Sequence, residues 1–221
     1  MKEKKYLILL PIRIILFIIL FSIIALITQN NLQDISKYWT LGVVICNFIT
    51  IAILFLVCKK NHTNYWDLID YKKSKLKNII IIGVIIALID TLGTYIFSVF
   101  FSDTATYSTN IIMQPLPVWV VILDLMLLPI TSIFAEEGLY LGVGINKANN
   151  IYLAILFYSL QHCFFPMIFD FKYMIYRFIA FMPSIIFMCI YYKNKKEIVP
   201  IMFEHFIINF VTIIQILLIS I

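Results

Sequence analysis

The residues that could do chemistry in this 221-residue chain are few, and they lie inside apolar runs. Glu136 and Glu137 stand side by side in one run, His162 lies in the next, and His205 and Asn209 lie in the last. A glutamate near a histidine in a low-dielectric space suits general-base activation of water. A second histidine, with an asparagine one helical turn later on the same face, supplies donors for a developing oxyanion. The chemistry these types imply is hydrolysis of a peptide bond inside a membrane. A competing reading is polar glue, in which the groups neutralise one another and fix helix packing. Zinc is a third option, since Glu and His are zinc ligands. However, the chain has no His-Glu-x-x-His pair, and no cofactor is expected.

The elements that carry these residues follow from composition. Hydrophobic residues make up 62% of the chain and charged residues 13%, against roughly 25% charged in soluble domains. Apolar runs recur from end to end, which predicts an all-α, polytopic transmembrane helical bundle. About seven spans are expected, at 6–28, 40–58, 78–101, 117–145, 151–169, 174–192 and 198–219. Pro129 inside the long fourth span predicts a kink or a surface-lying end. Lysines crowd alternate loops (Lys2, Lys4, Lys5; Lys59, Lys60, Lys72, Lys73, Lys75, Lys77; Lys147; Lys193, Lys195, Lys196), while the opposite set holds only Lys37 and Lys172. That bias places the N-terminus in the cytoplasm. It also marks the lysines as topology signals, which argues against nucleic acid as a partner and for membrane lipid. The basic stretch 59–77 reads either as an interfacial helix or as a solvated loop. Cys46, Cys58, Cys163 and Cys189 read as small core residues.

Depth ties the polar residues together. At about 1.5 Å per residue, Glu136 and Glu137 lie roughly 13–15 Å from the cytoplasmic end of their span, His162 about 16 Å, His205 about 12 Å and Asn209 about 18 Å. Three helices of differing direction thus place polar groups in one layer. Glu136 and Glu137 are about 100° apart on an α-helix, so only one can point straight at a shared site. Asp90 and Asp124 also fall within spans and receive no role: they could bind a partner helix, pair with each other or mark an entrance.

At these positions the chain resembles the CPBP family of intramembrane peptidases, also called the Abi or CAAX-protease-and-bacteriocin-processing family. The family's Glu-Glu-x-x-x-Arg corresponds to Glu136-Glu137-Gly138-Leu139-Tyr140-Leu141, its Phe-x-x-x-His to Tyr158–His162, and its His-x-x-x-Asn to His205–Asn209. The likeness covers roughly residues 115–215, so the chain divides into N-terminal helices (1–114) and a CPBP-like core (115–221). The resemblance implies that Glu136 and His162 activate water, that His205 and Asn209 form the oxyanion hole, and that Glu137 supports the site. It is compatible with a metal-free glutamate mechanism, which is the preferred one. It also implies a bacterial-type cytoplasmic membrane and a small membrane-associated peptide or protein substrate, in bacteriocin maturation, self-immunity or pheromone processing.

The chain departs from the pattern at the arginine, which is Leu141. An arginine there would share a face with Glu137 and hold it ionised; with leucine, Glu137 is expected to be loosely placed. Arg13, roughly 10 Å into the first span, could supply the guanidinium from another helix, or could snorkel to lipid headgroups. Arg177 is expected near the opposite face, too far to help. The Phe-to-Tyr158 change keeps ring packing. Two further readings stand beside the peptidase: a catalytically inactive scaffold or immunity protein that binds a membrane partner, and a small transporter with a proton-coupled Glu-His site.

Overall fold

The computed structural model describes residues 4–221, and among them all regular secondary structure is helical. A 3-10 turn at Lys4–Leu9 leads into α1 (Ile12–Thr28), followed by α2 (Leu32–Ile35) and α3 (Trp39–Lys60). Next come α4 (Tyr65–Leu68), α5 (Leu76–Phe100), α6 (Ser102–Ile112) and α7 (Val118–Glu136), the last continued by a π-helical segment at Glu137–Lys147. α8 (Ile151–Gln161), α9 (Phe171–Lys195) and α10 (Val199–Ser220) complete the bundle. Lys2, part of the charge bias, lies outside the described residues.

Six stretches are long and apolar enough to cross a membrane: Lys4–Thr28, Leu32–Lys60, Leu76–Phe100, Val118–Lys147, Phe171–Lys195 and Val199–Ser220. Their outer faces carry large apolar side chains such as Leu26, Leu88 and Met126, each more than half exposed. That surface suits lipid as its solvent, because within each helix the backbone satisfies itself. The protein is a multi-pass membrane protein.

The expected fifth span is where sequence and structure differ. Its helix stops at Phe164 and reaches only roughly 20 Å, short of a bilayer's hydrocarbon core of about 30 Å. Pro166 has no N–H to offer a continuing helix, and the chain turns inward instead. Phe165, Met167 and Ile168 are buried. Two of the carbonyls that leave the helix are taken up by side chains: Tyr173 Oη and Arg177 Nη2 donate to the Phe165 oxygen at 2.9 and 3.0 Å, and Ser36 Oγ to that of Met167 at 2.9 Å. Asp170 then caps α9 by accepting from the Tyr173 N–H at 2.7 Å.

α7 is the central helix, packed between α3 and α10, while α5 packs on α9 and α10 and α8 packs on α9. It passes through Pro129 without ending. Beyond Glu136 the helix widens to the π form, and Glu137–Ile145 are all buried, so the expected surface-lying end does not occur. In the basic 59–77 stretch all six lysines are exposed, and a short helix carries three side chains inward. α4 begins with a capping box between Asn64 and Asp67, then drives Tyr65, Leu68 and Ile69 into the core. Tyr65 Oη donates to the Phe134 carbonyl at 2.7 Å, and Tyr192 Oη donates to that of Ile69 at 2.6 Å. Burial and the nearby Glu137 carboxyl hold the Tyr65 phenol well above its usual range, so it stays a neutral donor. All four cysteines are buried and unpaired.

Candidate active site

Glu136 and Glu137 straddle the change from α to π winding. Each enters a different polar cluster. The backbone behind the pair is tight as well. A Cβ on Gly138 would lie 2.6 Å from Leu54 and 2.9 Å from the Tyr65 ring, so a larger residue here would have to push those two side chains aside.

Glu136 belongs to a cluster organised by Arg13. The guanidinium is fully buried. Its Nη2 donates to Glu136 Oε1 at 3.0 Å, its Nη1 to Asn47 Oδ1 at 2.5 Å and its Nε to Gln161 Oε1 at 2.7 Å. Gln161 Nε2 closes the ring by donating to Glu136 Oε2 at 2.6 Å. Asn47 Nδ2 donates onward to Thr131 and Ser132, both at 3.0 Å. The snorkelling reading of Arg13 is therefore overturned: a charge this deep would cost several kcal/mol unpaired, and here three acceptors surround it. The trans-supplied guanidinium is present, but it holds Glu136, whereas the missing motif arginine would have held Glu137.

Glu137 is fully buried and is not loose. His205 Nδ1 lies 2.8 Å from its Oε1, and Tyr158 Oη donates to the same oxygen at 3.3 Å. With Glu137 ionised, His205 donates through Nδ1, and its Nε2 is left as the other polar atom of the ring. Tyr158 thus gains a bond to the site that a phenylalanine would lack. Leu141, at the motif's arginine position, has no exposure and packs in the apolar core.

A stack of rings ties these clusters together. Tyr140 lies on Tyr158 at 4.5 Å between centroids, Tyr158 faces His162 at 6.1 Å, and His162 lies flat on Phe181 at 4.4 Å. The Arg177 guanidinium covers the far side of Phe181 at 4.5 Å. Arg177 donates to the carbonyls of His162 and Phe165, at 3.2 and 3.0 Å, and forms no ion pair with either glutamate of the pair. It is nonetheless closer to the site than expected, since it lines the same cavity.

That cavity, of about 180 Å³, is where most of the expected residues meet. Glu136, Tyr158, His162, His205 and Asn209 all line it, and Glu137 stands behind His205. Asn209 Nδ2 has no acceptor among the described residues, and neither Glu137 Oε2 nor Ser159 Oγ has a partner there. Asp90, Ser184 and Glu204 line the same cavity. Asp90 and Asp124 do not pair with each other: Ser184 Oγ donates to Asp90 at 2.9 Å, and Thr40 Oγ1 to Asp124 at 2.5 Å. Among the described residues no three His, Cys, Asp or Glu side chains gather as a metal-ligand set.

Sequence reasoning missed Asn47, Gln161 and Glu204. Each is a polar side chain inside an apolar helix, the same signal that singled out Glu136. Gln161 sits next to His162 and Glu204 next to His205, so the more familiar neighbour drew the attention. The N-terminal helices also do more than cross the membrane, since Arg13, Asn47 and Asp90 come from residues 1–114. Compared with family models, curated proteins and solved structures, the chain matches none.

Proposed function

We propose that this membrane protein is an intramembrane endopeptidase that uses a glutamate and bound water. The observation that carries the reading is the convergence of Glu136, His162, His205 and Asn209, from α7, the turn after α8 and α10, on one cavity. The Arg13–Gln161 clamp orients the Glu136 carboxylate while leaving it lone pairs for a water. Water held between Glu136 and His162 gives a proton to Glu136 as its oxygen attacks the peptide carbonyl. The oxyanion accepts from Asn209 Nδ2 and from the Nε2–H of His205 in its imidazolium form, whose Nδ1–H is held by the Glu137 carboxylate. Glu136 then passes the proton to the departing nitrogen, so one C–O bond forms as one C–N bond breaks. The substrate is a small membrane-associated peptide or protein, cleaved within a bacterial-type cytoplasmic membrane by a chain whose N-terminus faces the cytoplasm.

One observation favours a second reading, the inactive scaffold. Both Glu136 oxygens already accept hydrogen bonds, so the Arg13 cluster would be a sound structural unit without any turnover. The two readings separate in the membrane peptidome of the native host, compared between wild type and Glu136→Gln. Peptides that disappear in the variant support the peptidase. Identical peptidomes, with a deletion phenotype rescued by both proteins, support the scaffold.

A further inference from the structure

The cavity has a second set of polar groups that the proposed reaction does not use. Asp90 enters from α5 and Glu204 from α10, and both line the space occupied by His205 and Asn209. α5 and α10 pack on each other: a Cβ on Gly83, seven residues before Asp90, would sit 3.3 Å from Phe203 and 3.7 Å from the Glu204 Cβ. Ser184 of α9 fixes one oxygen of Asp90 at 2.9 Å. Glu204 is only 6% exposed, yet among the described residues no side chain donates to it and no cation pairs with it.

Two carboxyls in a membrane-buried cavity are satisfied by a bound proton or by a cation that replaces it. Among the described residues no cation forms an ion pair with Asp90 or Glu204. Arg13 is bound to Glu136, Asn47 and Gln161, and His205 to Glu137. Arg177 lines the cavity, but it donates to the carbonyls of His162 and Phe165 and lies over Phe181. The Asp90–Ser184–Glu204 group is thus acceptor-rich. Its one hydroxyl, that of Ser184, has both Asp90 and the Phe181 carbonyl at 2.9 Å, and the Glu204 carboxyl has no such donor among the described residues.

We infer that Asp90, Ser184 and Glu204 form a specificity subsite for a positively charged side chain, lysine or arginine, beside the bond to be cut. The inference rests on the peptidase reading and names its substrate class: an apolar, membrane-seated peptide carrying a basic residue next to the scissile position. An entering ammonium supplies the missing donors and neutralises the two acids. An apolar residue at that position would leave them buried and unpaired, and an acidic one would add a third like charge. Discrimination of this kind is steep because a site built for a charge penalises its absence.

The test uses full-length wild-type protein in lipid nanodiscs and dye-labelled apolar peptides that differ at one position, lysine or norleucine. Binding is read by fluorescence anisotropy before turnover, and mass spectrometry of the same samples reports cleavage. The lysine peptide is expected to bind about tenfold tighter or more. The preference should collapse in Asp90→Asn/Glu204→Gln, whose isosteric changes remove charge without removing volume. The lysine–norleucine comparison needs no variant, so it stands even if the double substitution does not fold. Equal affinities for the two peptides on wild-type protein would overturn the subsite. A lysine preference unchanged in the double variant would overturn it as well. Cleavage without lysine preference sinks the subsite and leaves the peptidase; lysine preference without cleavage does the reverse.

Discussion

Two groups of buried charges share one cavity and are treated in opposite ways. Around Arg13 the pairing is dense: three acceptors for the guanidinium, two donors for Glu136, and second partners for Asn47 and Gln161. Around Asp90 and Glu204 there is one hydroxyl donor for two acids. A closed network of this kind fixes position, and in the membrane it holds together because opening it would strand a charge. An incomplete network waits for a partner. The difference teaches which side chains hold the reacting groups in place and which are left to meet a ligand.

The sharpest way to press that contrast is to add a guanidinium where the family pattern has one. Leu141→Arg looks like a repair on sequence grounds, but Leu141 is fully buried in apolar core and Arg13 already serves Glu136. The substitution is expected to cost about 5 kcal/mol, enough to abolish recovery of folded protein. Size-exclusion profiles from mild detergent check this, and a folded variant with raised activity would break the account of Arg13. Removing the native guanidinium comes next. Arg13→Gln should destabilise by about 3–5 kcal/mol in thermal or denaturant unfolding. Arg13→Gln/Glu136→Gln should recover at least about 1 kcal/mol of that, because the two residues act as a pair.

Smaller effects probe the edges. Tyr65→Phe removes the donor to Phe134 and should cost about 1 kcal/mol. The same unfolding assay reads it, and no loss would mean that α4 does not help to hold the glutamate turn. On the underpaired side, Glu204→Gln should not destabilise, since it strands no partner and removes a buried acid to which no side chain among the described residues donates. A loss as large as that of Arg13→Gln would show that Glu204 is structural and would erase the contrast.

Much of the site was legible in the sequence because ionisable residues in apolar helices are rare and costly. Depth alone put Glu136, Glu137, His162, His205 and Asn209 in one layer. What depth could not provide was the partners. Spacing of about 100° already separates the two glutamates, and it is the distant partners, Arg13 for Glu136 and His205 for Glu137, that neighbouring residues do not reveal. The full-length fifth span was lost to Pro166, whose effect depends on Tyr173, Arg177 and Ser36 being there to recover the freed carbonyls. Arg13 looked like a snorkelling residue because its acceptors, Asn47 and Gln161, are distant in sequence and individually unremarked.

The most direct test of the central claim is to incubate membranes holding wild-type protein or Glu136→Gln in ¹⁸O-water and to analyse the peptides by mass spectrometry. Water activated by Glu136 predicts new peptide C-termini carrying solvent ¹⁸O in wild type and absent from the variant. The same labelled C-termini at equal abundance in both would contradict it, and would leave the Arg13–Glu136 cluster as structure alone.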